Sequence, residues 1–231
     1  MVQKEAFKSA LVIGSSGGVG AGLVTALRGG SSNVSVTTLS RTDDGLDLTN
    51  EESVSRAAAG LAGAAPFDLI INASGVLAVD GAGPEKSFKE IDPVRMIRAF
   101  EVNALGAALA IKHFGSLLER DGRAVLATLS ARVGSIGDNG LGGWVSYRAS
   151  KAALNQIVRC GALELGRRNP SAIVVALHPG TIKTPLTEKY ARGRYTASAE
   201  DAAQAMLNVL GDLPKAANGG FYDYAGKPVP W

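Results

Sequence analysis

The chain has 231 residues, 46% hydrophobic and 19% charged, which excludes a disordered or acidic-tail protein and supplies enough apolar residues for one buried core. The formal charge is +3, with 24 basic and 21 acidic residues interspersed, so no basic stripe marks a nucleic-acid surface. No run approaches the roughly 20 apolar residues of a membrane span and no secretory h-region opens the chain, so the expectation is a cytoplasmic protein without a membrane partner. The single cysteine, Cys160, is expected to be a buried structural thiol, and the two histidines, His113 and His178, are too isolated to hold zinc, so no metal is expected.

In chain order, Ser9 to Gly14 reads as a buried strand and Val19 to Leu27 as a helix. Asn33 to Leu39, rich in β-branched residues, reads as a second strand. Glu51 to Ala62 reads as a helix that Thr49 or Asn50 could cap, followed by a strand over Phe67 to Ile71. Pro93 to Leu118 is expected as one long helix with proline in its first turn. A strand over Arg123 to Leu129 precedes a long helix from Trp144 to Arg168, which Asn169-Pro170 stops. Ala172 to Leu177, Ala199 to Leu210 and Gly219 to Tyr224 complete the chain as strand, helix and short strand.

Strands read as continuous apolar runs and alternate with helices. That predicts an α/β fold: a single doubly wound domain over residues 1–231, with a parallel sheet of six to seven strands covered by helices on both faces. Between Leu39 and Gly45 there is no room for a crossover helix, so the second crossover is shortened, and Gly45 to Leu48 is either a stunted edge strand or no strand. A ligand is expected at the carboxyl ends of the strands.

The 29 glycines cluster at element boundaries. Gly14, Gly18 and Gly20 form a Gx3GxG turn between the first strand and first helix, where small residues and unpaired helix N–H groups suit a pyrophosphate. Ser40 and Arg41 end the second strand in place of the acidic residue that would hold a ribose 2′-hydroxyl. A hydroxyl and a guanidinium both suit a 2′-phosphate, which points to NADP(H) over NAD(H), although Asp43 and Asp44 lie close by.

Tyr147 and Lys151 stand one helical turn apart and share a face. An ammonium beside a phenol favours phenolate and lowers its pKa from about 10, which makes the pair a candidate proton donor and acceptor.

Together these residues resemble the short-chain dehydrogenase/reductase family over nearly the whole chain. The resemblance rests on the Gly14-to-Gly20 turn, Asn72-Ala73-Ser74-Gly75 after a strand, Asn103 in the long helix, Tyr147 with Lys151, and Pro179-Gly180 followed by Thr181 and Thr184. Within the family, SIGDNGLGGWVSYRASKAALN, LHPGTIKT and FYDYAGKPVPW are most similar to the C-factor and Sniffer-like carbonyl reductases.

The resemblance implies hydride transfer between a nicotinamide and a small carbonyl or alcohol substrate. Tyr147 would protonate the carbonyl oxygen, Lys151 would lower the Tyr147 pKa and hold the nicotinamide ribose, and Asn103 would support a water relay. Gly14, Ser16, Gly18, Val19 and Gly20 would take the pyrophosphate, and Asp47 and Leu48 would contact adenine. Asn72, Ala73 and Gly75 would floor the cofactor, and Pro179, Gly180, Thr181, Ile182 and Thr184 would hold its nicotinamide end. The family's catalytic serine corresponds to Ser130, 17 positions before Tyr147. Counting back from Gly134 places it on Ala131 instead, and one step along a strand reverses the side chain. Ser130 is the expected residue if the strand end bulges, Ser135 is a third candidate, and a site with no serine is the remaining case. A lid over Thr184 to Thr196 and an apolar wall from Leu141 and Trp144 are also expected. The alternative to an enzyme is a dinucleotide-binding sensor or signalling protein with little turnover. The long alanine-rich helices suggest a homodimer or homotetramer.

Overall fold

Aliphatic and β-branched runs build six strands in a computed structural model that describes residues 7–30, 33–184, 187–190 and 195–231. The strands are β1 Ser9–Ile13, β2 Ser35–Leu39, β3 Leu69–Asn72, β4 Ala124–Leu129, β5 Ala172–His178 and β6 Phe221–Asp223. They lie in the order β2-β1-β3-β4-β5-β6, and every pairing is parallel. The connecting helices are α1 Gly18–Gly29, α2 Arg41–Asp44, α3 Glu51–Gly60, α4 Pro93–Phe100, α5 Gly106–Phe114, α6 Val145–Arg168 and α7 Ala199–Asp212.

Alternation along each strand divides the core between two faces. Leu11, Ile13, Ile70 and Val174 pack with Phe114 of α5 and Leu154 and Val158 of α6. Val12, Leu69, Ile71 and Val175 pack with Leu23 of α1 and Met206 and Leu210 of α7. Burial on both faces is why these strands lack polar alternation. The order reverses between β1 and β3, so a crevice opens at their carboxyl ends, where doubly wound sheets bind ligands.

Local chemistry sets the helix starts. Asn50 caps α3 by accepting from the Ser53 N–H at 3.2 Å, and Asp92 caps α4 ahead of Pro93. Three expectations need correction. The helix expected over 93–118 is not continuous: α4 ends at Phe100 and a π-helical turn over Glu101–Leu105 joins it to α5. This wide turn places Asn103 against the backbone of Val76. Between β2 and Gly45, where no helix was expected, there is room for a single helical turn, α2; Gly45 to Leu48 takes the second of its two expected forms, no strand. Cys160 is exposed, because it falls with Gln156 and Arg159 on the outer face of α6. No helix among the described residues is long and apolar enough to cross a membrane.

Candidate active site

The turn after β1 is shaped by close backbone approach. A Cβ on Gly20 would lie 2.1 Å from the Gly14 carbonyl oxygen, and one on Gly14, which has φ +81°, would lie 2.7 Å from Ser74 Oγ. Only glycine fits either position. Helix α1 then begins without a side-chain cap and without an acidic residue in its first turn. Its free N–H groups and positive dipole end face an exposed turn made by Ser16, Gly17 and Gly18.

Beside this turn, Ser16 Oγ and Thr42 Oγ1 are 3.3 Å apart, which joins the glycine turn to α2. Arg41 is exposed at the start of α2. The hydroxyl of Ser40 is not free as expected: it donates to Asp43 Oδ2 at 2.8 Å and accepts from the Asp43 N–H, while the Asp44 carboxylate accepts from the Ser40 N–H. The two aspartates therefore cap their own turn. Asp47 accepts from the N–H and hydroxyl of Thr49, which hold its carboxyl below the usual range, and Leu48 is buried in the core.

A cleft of about 430 Å³ runs from the glycine turn across the carboxyl ends of the strands. Of the expected residues, Ser16, Gly18, Val19, Ala73, Gly75, Ser130, Tyr147, Lys151, Pro179, Gly180, Ile182 and Thr184 line it. Gly14 and Gly20 shape its turn from behind. Ser40, Arg41, Asp47, Leu48, Asn72, Asn103 and Thr181 are not in its lining.

Under the cleft, Asn103 is fully engaged. Its amide exchanges two 2.9 Å bonds with the backbone of Val76 and donates to Ser150 Oγ at 3.0 Å. It is therefore a brace between the π-helical turn, the loop after β3 and α6. A Cβ on Gly75 would sit 3.2 Å from both Asn103 Oδ1 and Lys151 Nζ, so the glycine leaves room for the lysine. The buried Lys151 ammonium donates to the Leu129 carbonyl at 3.0 Å and lies 5.9 Å from the Tyr147 ring centre.

Burial pushes Lys151 down to about 8 and pushes the Tyr147 phenol above its usual value. A phenol held in this way keeps its proton at neutral pH, the state a proton donor needs.

The start of α6 is built from a distance. Trp144 precedes the helix in the left-handed region, φ 52°, and offers no side-chain cap. Glu85, buried and 61 residues earlier than Ser146, takes over this task. Its carboxylate accepts from the Ser146 N–H at 3.2 Å and from the Ser146 hydroxyl, and its carbonyl accepts from the Trp144 N–H at 2.5 Å. Trp144 also meets the edges of Tyr147 and Tyr190 at 6.3 and 6.0 Å. The expected wall residue Leu141 is 94% exposed and takes no part. A second cavity, about 290 Å³, opens on the other side of Tyr147 between Val79, Arg95 and Ala99.

These features decide the relationship when they are set beside known proteins. The family model described as Enoyl-(Acyl carrier protein) reductase matches residues 23–219. The chain belongs to the short-chain dehydrogenase/reductase family. It is 34% identical over 166 residues to C-signal of Myxococcus xanthus, covering 72% of this chain and 93% of that protein. It is 32% identical over 190 residues to the 1-hydroxy-2-glutathionyl-2-methyl-3-butene dehydrogenase of Rhodococcus sp. strain AD45, covering 82% and 80%. The fold matches that of an NADPH-bound carbonyl reductase from chicken fatty liver, with TM-score 0.83, 24% identity and 97% and 99% of the two chains covered.

The structure separates the three candidates for the serine position. Ser130 lines the cleft, but its hydroxyl donates to Asn155 Oδ1 at 2.6 Å. Asn155 stands eight residues beyond Tyr147 on α6, about 12 Å down the helix axis. Ser135 is buried outside the lining and accepts from the Asp138 N–H. Ala131 lines the cleft without a hydroxyl.

Gly17 and Ser74 of the named motifs and Thr187 of the expected lid also line the cleft, and sequence reasoning missed Leu129 and His178 there, together with Glu85 behind Tyr147. His178 was read only as a failed metal ligand, yet it directly precedes Pro179, which is a positional signal. Within the segment expected as a lid, Thr187 donates from its hydroxyl to the Ile182 carbonyl and accepts from the Thr184 N–H. Tyr190 rests its hydroxyl where a Cβ on Gly83 would be, 2.7 Å away. Glu188 and Lys189 are exposed, and Arg192 and Arg194 lie outside the described residues.

Proposed function

We propose that this oxidoreductase is an NADPH-dependent reductase of small carbonyl compounds, with Tyr147 as the proton donor. The observation that carries the reading is the convergence of Tyr147 and Lys151 on the cleft that begins at the uncapped N-terminus of α1. The cradle fits a dinucleotide: Gly14 and Gly20 admit no Cβ, and α1 presents free N–H groups to a pyrophosphate. Gly18, Val19 and Ser16 would hold the phosphates. Arg41, with the Ser16 and Thr42 hydroxyls near it, would receive a 2′-phosphate. Pro179, Gly180, Ile182 and Thr184 would take the nicotinamide end.

Bound there, a reduced nicotinamide supplies the hydride that the carbonyl carbon accepts. Tyr147 hands its proton to the carbonyl oxygen, and its raised pKa suits the reductive direction. Lys151, anchored on Leu129, places a positive charge beside the phenol as that proton leaves. Gly75, with no Cβ, leaves room for the lysine beside the Asn103 amide. The chicken carbonyl reductase of the same fold, crystallised with NADPH, supports the cofactor choice. Exposed Val94 and Ile97 on α4 and Leu163 on α6 support association of copies through these helices.

The test is NADPH oxidation with a panel of aldehydes, ketones and quinones, repeated with NADH. Turnover that prefers NADPH is expected; tight NADPH binding without turnover of any class would overturn the reductase. That outcome would favour the second reading, a dinucleotide-binding signalling protein, which the likeness to C-signal and the committed Ser130 hydroxyl support.

A further inference from the structure

Three groups stand in a row where the sheet ends. The Ser130 N–H donates to the Leu177 carbonyl at 2.8 Å, which carries the β4–β5 pairing one residue further and sets Ser130 beside His178. His178 in turn pairs in register with Asp223. By strand alternation all three side chains stand on the face that packs against α6.

Two of the three are already committed. Ser130 has one proton and gives it to Asn155. Asp223 accepts from Arg132 Nη2 at 3.0 Å with one oxygen and from the N–H groups of Ala225 and Lys227 with the other. His178 differs. It lines the cleft, and its Nδ1 is enclosed with no partner among the described residues.

A neutral imidazole carries one proton, on Nδ1 or Nε2. An enclosed N–H with no acceptor is among the rarest arrangements in folded proteins, and an enclosed lone pair is tolerated better. The proton therefore belongs on Nε2, which is not among the enclosed, partnerless atoms of a residue that lines the cleft. Burial, with Arg132 adding its positive charge and Asp223 opposing, pushes the imidazole down to about 4, so the ring is neutral at working pH. A neutral Nε2–H on a residue that lines the same cleft as Tyr147 needs an acceptor, and a carbonyl oxygen would provide one.

We propose that His178 donates a hydrogen bond from Nε2 to the oxygen of the carbonyl substrate, in the place where a serine hydroxyl was expected. This inference rests on the reductase reading above. It makes Tyr147 the proton donor and His178 the fixed donor that holds the same oxygen, with Ser130 a structural residue tied to α6. A fixed donor aimed where charge develops is typically worth about a hundredfold in turnover.

The experiment compares wild type, His178→Ala, His178→Gln, Ser130→Ala and Tyr147→Phe. His178→Gln keeps a side-chain N–H near the Nε2 position; His178→Ala removes it. His178→Ala is expected to lose about a hundredfold in kcat with NADPH Kd changed less than threefold. His178→Gln should recover all but about fivefold, and Ser130→Ala should stay within threefold. Turnover of His178→Ala within twofold of wild type, or a loss confined to Ser130→Ala, overturns the inference while leaving the reductase intact if Tyr147→Phe is inactive. Equal turnover in Tyr147→Phe removes Tyr147 as the proton donor, whereas NADPH binding without turnover in the wild type overturns the reductase reading itself. A readout without turnover stands beside these. The chain has only two histidines, so the ring 15N shifts of His178 are assigned by comparison with His178→Gln. A neutral ring protonated on Nε2 near pH 7 is expected; a proton on Nδ1, or a charged ring, overturns the proposal.

Discussion

Replacing Glu85 should loosen Tyr147, the proposed proton donor, from a loop that precedes it by about 60 residues. Glu85→Ala deprives the Ser146 N–H and hydroxyl of their acceptor, and both lie in the buried first turn of α6. A hydrogen bond to a charged group contributes about 1.5–3 kcal/mol, and an anion at a helix N-terminus adds up to about 1 kcal/mol. Water can re-enter part of the gap, so about 3 kcal/mol of the total is expected to be lost. For a chain of this size that is about 6–12 °C in Tm. Trp144, held left-handed by the same residue, would relax, and Tyr147 two positions after Val145 would move with it. Turnover should fall about tenfold. Glu85→Gln keeps one carbonyl acceptor and should lose about half as much stability. Urea unfolding and kcat are measured on both variants and on Ser146→Ala, and the double variant gives the coupling energy. A coupling below about 0.5 kcal/mol, or a Glu85→Ala protein with wild-type stability, would refute the distant cap.

Gly20→Ala places a methyl 2.1 Å from the Gly14 carbonyl oxygen and should weaken NADPH binding at least thirtyfold by calorimetry, whereas Gly29→Ala meets nothing within 4 Å and should leave binding unchanged. Arg41→Ala should weaken NADPH but not NADH, measured as the ratio of their Kd values; an unchanged ratio would remove Arg41 from the 2′-phosphate site. His178 is neutral down to about 4 when folded but binds a proton below about 6.5 when unfolded. Between those values the unfolded chain holds more protons, so His178 makes stability rise with pH by up to about 3 kcal/mol. In urea unfolding across that window, His178→Gln should flatten the rise.

The fold was legible because burial on both faces of a parallel sheet leaves unbroken apolar runs, and each run from Ser9 to Leu177 became a strand. The glycine turn was legible because its constraint is local: Gly14 and Gly20 clash with their own neighbourhood. What could not be read depends on partners far along the chain. The π-helical turn at Asn103 follows from Val76 and Ser150, and nothing in the helical spacing of 93–118 announces it. Cys160 sits amid apolar neighbours, yet its angle on α6 puts it outside. The uncertainty at Ser130 was real at the level of sequence, since strand parity cannot show that Asn155 waits for its hydroxyl. Helical spacing brings Lys151 to the face of Tyr147, but it does not announce that the Leu129 carbonyl anchors the ammonium.

The central claim is that Tyr147 delivers a proton beside a bound reduced dinucleotide. Single-turnover reduction by preloaded NADPH complexes of wild type and Tyr147→Phe, with NADPH Kd determined for each, tests it most directly. The phenylalanine variant should bind NADPH within threefold of wild type and reduce substrate at least a hundredfold more slowly. Rapid reduction without the phenol, or failure of the wild type to bind the dinucleotide, would contradict it.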